Sequence, residues 1–253
     1  MRTNICLLLI IVFAWFIVNC ENTREYEEEK YGGVVFTFDD ADVNAWWNLH
    51  NILKNKNWRA TFFVSGYDKL NSNQIDLLKK LNKYGHEIGG HSINHFNARE
   101  YVQGNGISAY LETEILPMIN LMEADGFQLT SFAYPYGART AQIDQALLPY
   151  FEILRGTFNA AREPHLQLCY FNENSFVFGL GIDMNWSWDI EYIYSLLDYA
   201  KDEDKIVIFY AHNPHKIVTG NYQITFQRMI DLCNYVNQNK IKFYTISELL
   251  KMN

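Results

Sequence analysis

The chain has 253 residues, 49% hydrophobic and 16% aromatic, with a formal charge of −8. This hydrophobic fraction supports a sizeable core and argues against wholesale disorder. The acidic balance, without a basic stripe, argues against a nucleic-acid partner, because phosphate binding requires clustered Lys and Arg.

In chain order, the first feature is an apolar run at residues 5–18, preceded by Arg2 and followed by Asn19-Cys20. It suits a signal-peptide core and falls short of the roughly 20 residues a spanning helix needs. Cys20 stands where a bacterial lipoprotein is cleaved and lipidated, although Asn19 replaces the usual small residue. The following ENTREYEEEK stretch suits a solvated tether. The expected organisation is a signal peptide at 1–19, a tether at 20–31 and one domain at 32–253. The chain is then exported to the cell envelope, with membrane contact only through a lipid on Cys20. If Cys20 is incidental, the signal peptide is simply cleaved and the protein is secreted or periplasmic. Cys6 falls in the leader. Cys169 and Cys233 lack metal-ligand spacing and read as buried small hydrophobes, with a bridge between them left open by the oxidising compartment.

Short apolar runs then alternate with amphipathic ones. Strands are expected at 34–38, 60–64, 87–89, 131–134, 153–156, 176–182, 206–210 and 242–244. Helices are expected at 43–54, 74–84, 108–125, 141–148, 190–201 and 224–239, with a closing turn at 247–251. The second helix takes Ser72 or Asn73 as N-cap and stops at Gly85. The third is expected to kink or break at Pro117. Strands alternating with helices indicate parallel βα units and a (β/α) barrel, distorted or incomplete.

Ionisable residues collect where these strands end: Asp39-Asp40, His91 with His95, Asp183, and His212. The C-terminal strand ends of such a barrel share one face, which carries the active site. An Asp-Asp pair alone could cap a helix, and an i,i+4 histidine pair alone is often incidental. Together, one carboxylate and two imidazoles make a three-ligand set for a catalytic metal with positions left open.

The segments TFDD (37–40), GHEIGGHSINH (85–95), FAYPYG (132–137) and the strand ending in His212 resemble the ordered motifs of the polysaccharide deacetylases. This is the NodB-like family, also called carbohydrate esterase family four. The resemblance runs from about Gly33 to His212. It implies that Asp40, His91 and His95 ligate a divalent metal and that Asp39 is the general base. Ser92 would support the histidine loop, Tyr136 would offer its backbone N–H to an oxyanion between Pro135 and Gly137, and His212 would be the general acid. Zn²⁺ is the first expectation for the metal, and Co²⁺, Ni²⁺, Mn²⁺ and Fe²⁺ accept the same ligands. Two positions depart from the family pattern. Ala133 stands where an arginine usually positions the base, with Arg139, Arg155 and Arg162 as candidates to replace it. Asn185 stands before Trp186 where an Asp is usual, so Asp183 is preferred as the partner of His212 and Asp189 as a helix cap. Trp186 and Trp188 read equally as sugar platforms and as packing. His50, His86, His165 and His215 are taken as surface or structural residues.

The expected function is removal of N-acetyl groups from a GlcNAc-containing glycan, with an acetylated glycan as partner. The alternatives are an O-acetyl esterase or another C–N hydrolase on the same scaffold, or a carbohydrate-binding module that has lost turnover, a reading motivated by Ala133 and Asn185.

Overall fold

The computed structural model describes residues 32–160 and 162–252. The expected leader and the whole of the expected tether, with Cys20, lie outside the described residues. Seven parallel strands close into a barrel: β1 (Gly33–Asp40), β2 (Ala60–Val64), β3 (Glu87–Gly90), β4 (Ser131–Ala133), β5 (Ile153–Thr157), β6 (Phe176–Gly181) and β7 (Ile206–Ala211). β7 runs along one edge of β1, from Gly33 to Phe38. The other edge of β1 is shared. β2 takes Phe36–Asp40, while the last strand of the chain pairs with Gly33–Val35. The expected barrel is therefore present, seven-stranded, with an extra strand wedged beside β1.

Helices pack around it: α1 (Val43–Leu53), α2 (Ser72–Lys83), α3 (Ala98–Asn105), α4 (Ile107–Tyr110), α5 (Leu116–Ala124), α6 (Ala141–Leu147), α7 (Ile190–Asp202) and α8 (Phe226–Gln238). Among the described residues, no helix is long and apolar enough to cross a membrane. A short parallel ribbon, β8 (Asn213–His215) with β9 (Gln223–Thr225), follows β7, and β10 (Lys242–Tyr244) is the wedged strand.

Several boundaries differ from expectation for identifiable reasons. The cap of α2 is Asn71 rather than Ser72 or Asn73. Its side chain accepts the Gln74 N–H at 3.0 Å while the Gln74 side chain accepts the Asn71 N–H at 3.1 Å, a reciprocal capping box. Pro117 neither breaks nor simply kinks its helix. A π turn at Leu111–Ile115 precedes it and joins α4 to α5, absorbing the missing N–H in a wider turn. Helix α3 and the β8–β9 ribbon were not expected. The latter takes the start of the expected 224–239 helix, so α8 begins after the Thr225 cap.

Strand alternation separates two apolar layers. In β1, Val34, Phe36 and Phe38 face the helices, while Val35 joins Phe63, Ala133, Ile153, Val177 and Ile208 in the barrel interior. The same alternation carries Thr37 and Asp39 inward from β1, Arg155 from β5 and Tyr210 from β7. The upper interior is therefore polar although its base is not. Cys169 and Cys233 are both buried and free.

His50 and His86 are buried rather than on the surface. The Ala60 N–H donates to His86 Nδ1 at 3.1 Å, so His86 Nε2 carries the proton and donates to His50 Nδ1 at 2.9 Å. Burial first, then His50 and Arg59, pushes His86 down to about 3. Its folded value thus lies below its unfolded one, so it contributes stability above about pH 6.5 that is lost as pH falls toward 3. Across that window wild type should lose up to about 1.4 kcal/mol per pH unit more than a His86→Gln variant in urea titrations. Parallel pH curves for the two proteins would refute this.

Candidate active site

The ends of two strands, β1 and β3, assemble the predicted ligand set. Asp40 closes β1 with a φ of 83°, an unusual value for a non-glycine residue. His91 and His95 lie on the loop after β3. Their ring nitrogens and the Asp40 carboxylate lie within 4.8 Å of one another. Asp40 Oδ1 is 3.2 Å from His95 Nε2 and 3.6 Å from His91 Nε2. His91 is 2% exposed, and its Nδ1–H donates to the Ala133 carbonyl at 2.8 Å, which leaves Nε2 free to ligate. Burial raises the Asp40 pKa, but the bonds from His91 and His95 outweigh it and hold the carboxyl well below its ordinary range. The chemistry and spacing of the set fit one divalent cation.

The histidine loop is braced from two sides. Ser92, itself at positive φ, accepts the His95 N–H on Oγ at 3.0 Å. Glu114, fully buried in the π turn, accepts from the Asn94 backbone at 2.9 Å and from Asn94 Nδ2 at 2.7 Å. The π turn therefore supports the loop that carries both histidines.

Asp39 is 3% exposed and is ion-paired with Arg155, which is fully buried. This settles which arginine stands in for Ala133. Ala133 and Arg155 are register partners on β4 and β5, so the guanidinium enters from the neighbouring strand at the same height. Ala133 and Gly179 leave it room: a β-carbon at Gly179 would sit 3.3 Å from Arg155 Cδ. The other two arginines are engaged elsewhere. Arg139 pairs with Asp144 and lies over the Phe176 ring, and Arg162 lies over Phe158.

His212 follows β7. Its Nδ1 meets Asp183 Oδ2 at 2.6 Å, and its backbone N–H donates to Asp183 Oδ1 at 3.1 Å. Burial lowers the His212 pKa, but Asp183, with Asp39 and Asp40, outweighs that and raises it. Asp189 caps α7 by accepting the Tyr192 N–H at 2.7 Å. Asn185 accepts the Tyr222 N–H at 3.0 Å and so ties the β8–β9 ribbon to the site.

Asp39, Asp40, His91, His95 and His212 line one cleft, together with Tyr136, Gly137, Thr157, Asn159, Trp186, Tyr210 and Tyr222. Tyr136, at a φ of 59°, is largely exposed, with its ring 4.8 Å from that of His95. Gly137 also has positive φ, and a β-carbon there would collide with Thr157 Oγ1, so the buried Pro135 leads into a turn that requires glycine. Trp188 donates to the Gly181 carbonyl at 2.8 Å and packs on Tyr192, whereas Trp186 faces the cleft. Sequence reasoning passed over Thr157, Asn159, Tyr210 and Tyr222. The tyrosine at 210 reads as an ordinary aromatic in an apolar strand, and nothing local marks the others.

Residues 27–149 match a family model described as polysaccharide deacetylase. Similar solved structures include the peptidoglycan deacetylase PdaC from Bacillus subtilis, 17% identical over 87% of this chain and 91% of that one, with a TM-score of 0.56. A family 4 acetyl xylan esterase from Clostridium thermocellum, solved with a cobalt ion, is 17% identical over 87% and 90%, with a TM-score of 0.56. A mutant of a family-four pseudoenzyme with restored activity is 16% identical over 87% and 68%, with a TM-score of 0.55. At these identities the likeness is one of fold. A comparison with curated proteins finds no match.

Proposed function

We propose that this chain, which belongs to the polysaccharide deacetylase family, is a metal-dependent hydrolase that removes N-acetyl groups from a GlcNAc-containing glycan. The observation that carries the reading is the convergence on one cleft of the Asp40/His91/His95 donors, the Arg155-held Asp39 and the Asp183-held His212. When bound, a divalent cation at those donors supplies Lewis acidity toward the acyl oxygen and lowers the pKa of water.

The chain's own residues divide the proton work. Asp39, fixed in the barrel interior by Arg155, takes a proton from the attacking water. His212 has its Nδ1 tied to Asp183, so Nε2 is the nitrogen that delivers a proton to the departing amine. An amine is a poor leaving group, and a positioned acid is what an amide demands beyond an ester. Tyr136 offers a backbone N–H at the cleft wall for the developing oxyanion. Tyr136, Trp186 and Tyr222 offer rings to a sugar. The departures behind a binding-only reading each have a counterpart, Arg155 for Ala133 and Asp183 for Asn185. The chain acts at the cell envelope if residues 1–19 export it, anchored by lipid if Cys20 is acylated.

The purified chain loaded with Zn²⁺ or Co²⁺ should release acetate from N-acetyl chito-oligosaccharides faster than from O-acetyl xylan. It should bind one metal per chain, and His91→Ala should lose both metal and activity. Unchanged activity in Asp39→Asn or His91→Ala sinks the mechanism, and faster release from xylan replaces the amide with an ester.

A further inference from the structure

The deep end of the cleft is rich in uncommitted donors. Asn159, just after β5, has a determinate orientation. The Gly181 backbone N–H can only donate, so the atom it meets at 2.8 Å is Oδ1. Asn159 Nδ2 must then face Tyr210 Oη, 2.5 Å away, and an amide nitrogen also only donates. The Tyr210 oxygen is therefore the acceptor in that bond. Its own proton is left over, and no other partner of that hydroxyl occurs among the described residues. Burial raises the Tyr210 pKa, so the phenol stays protonated.

A second donor, on Trp186, lines the same cleft. Trp186 Nε1 is buried without a partner. It lies over Gly181, where any β-carbon would collide with it. Tyr210 is 4% exposed, two residues before His212, on the inward face of β7. A buried donor without an acceptor is costly, so the fitting ligand group is one that brings oxygen.

We infer that Tyr210 and Trp186 form a subsite for the acyl substituent that favours an oxygen-bearing group, so that an N-glycolyl amide is preferred to an N-acetyl amide. The inference rests on the acyl-hydrolase reading above. With the carbonyl at the Asp40/His91/His95 donors and the amine toward His212, the carbon substituent on the carbonyl enters the deep end. Acetyl places a methyl there and leaves both donors unmet, whereas glycolyl places a hydroxyl. Either hydrolysis consumes one water, breaks the C–N bond and yields the free amine with acetate or glycolate.

The test separates this subsite from turnover. In the Zn²⁺-loaded full chain carrying Asp39→Asn, which keeps an acceptor for Arg155, calorimetry compares N-glycolyl and N-acetyl chitotetraose. The glycolyl ligand should bind roughly fivefold to tenfold tighter. Adding Tyr210→Phe should bring the ratio near one. Asn159→Asp, whose second carboxylate oxygen captures the Tyr210 proton, should do the same while keeping the ring. Thermal melts check that each variant is folded. Equal affinities in the parent, equal weakening of both ligands by Tyr210→Phe, or binding of neither overturns the inference. If the preference holds but wild type releases neither acetate nor glycolate, the subsite stands and the hydrolase reading falls.

Discussion

Arg155→Met should lower the unfolding free energy by about 3–5 kcal/mol and cut acetate release by roughly 10²-fold or more. Arg155 and Asp39 lie in the barrel interior, fully buried and 3% exposed respectively. Removing the guanidinium leaves a carboxylate there without its counter-ion, which costs more than the pair itself contributes. Asp39→Asn/Arg155→Met should therefore recover much of the stability lost by Arg155→Met and none of the activity. That split separates the ion pair's part in folding from its part in catalysis, and urea titrations with initial-rate assays read both. The register supplies a sharper test. Because Ala133 and Arg155 are direct partners on β4 and β5, Ala133→Arg in an Arg155→Ala background returns a guanidinium at the same height. It should restore activity at least tenfold over Arg155→Ala alone. If Arg155→Met remains as active as wild type, the carboxylate needs no such partner and the assignment of the base is wrong.

The second large effect concerns the acid. His212→Gln should reduce kcat by roughly 10²–10⁴-fold. Asp183→Asn should also slow turnover and, in addition, move the pH profile. His212 acts as its protonated form, so the rate falls as pH rises through its pKa. Burial works to lower that pKa, and the bond to Asp183 outweighs it. Without the carboxylate the imidazolium loses its main support, so the alkaline limb of kcat/KM should shift to lower pH. A merely structural role for Asp183 would reduce the rate and leave the limb in place. Asp189→Asn, which alters only the cap of α7, should leave the limb unmoved.

The parts legible in the sequence share one property: each is a local pattern. Strand and helix alternation is written residue by residue, and it indicated the parallel barrel. Asp39-Asp40 and the His91/His95 pair are contiguous motifs at strand ends, so their convergence follows from parallel topology alone. Asp183 is preferred over Asp189 because it directly follows a strand. Other features depended on which side chains pair in the folded chain. Asn71 was missed as a cap because the neighbouring Ser72 and Asn73 satisfy the same residue preference, and only the reciprocal bond with Gln74 distinguishes them. The π turn was missed because Pro117 reads as a break until Glu114 is seen holding the histidine loop.

By itself, the sequence determined the chain's alternation, the strand that each acid and histidine follows, and hence which residues could share one mouth. The tertiary structure alone decided which of three arginines meets Asp39. Inward alternation and register set that choice, since Arg155 lies beside Ala133 with Gly179 leaving space for its stem. It also decided the donor character of the cleft's deep end, because the Tyr210 proton is freed only through the chain from Gly181 to Asn159 to Tyr210. Both outcomes depend on strand register and barrel closure, long-range properties carried by no single segment.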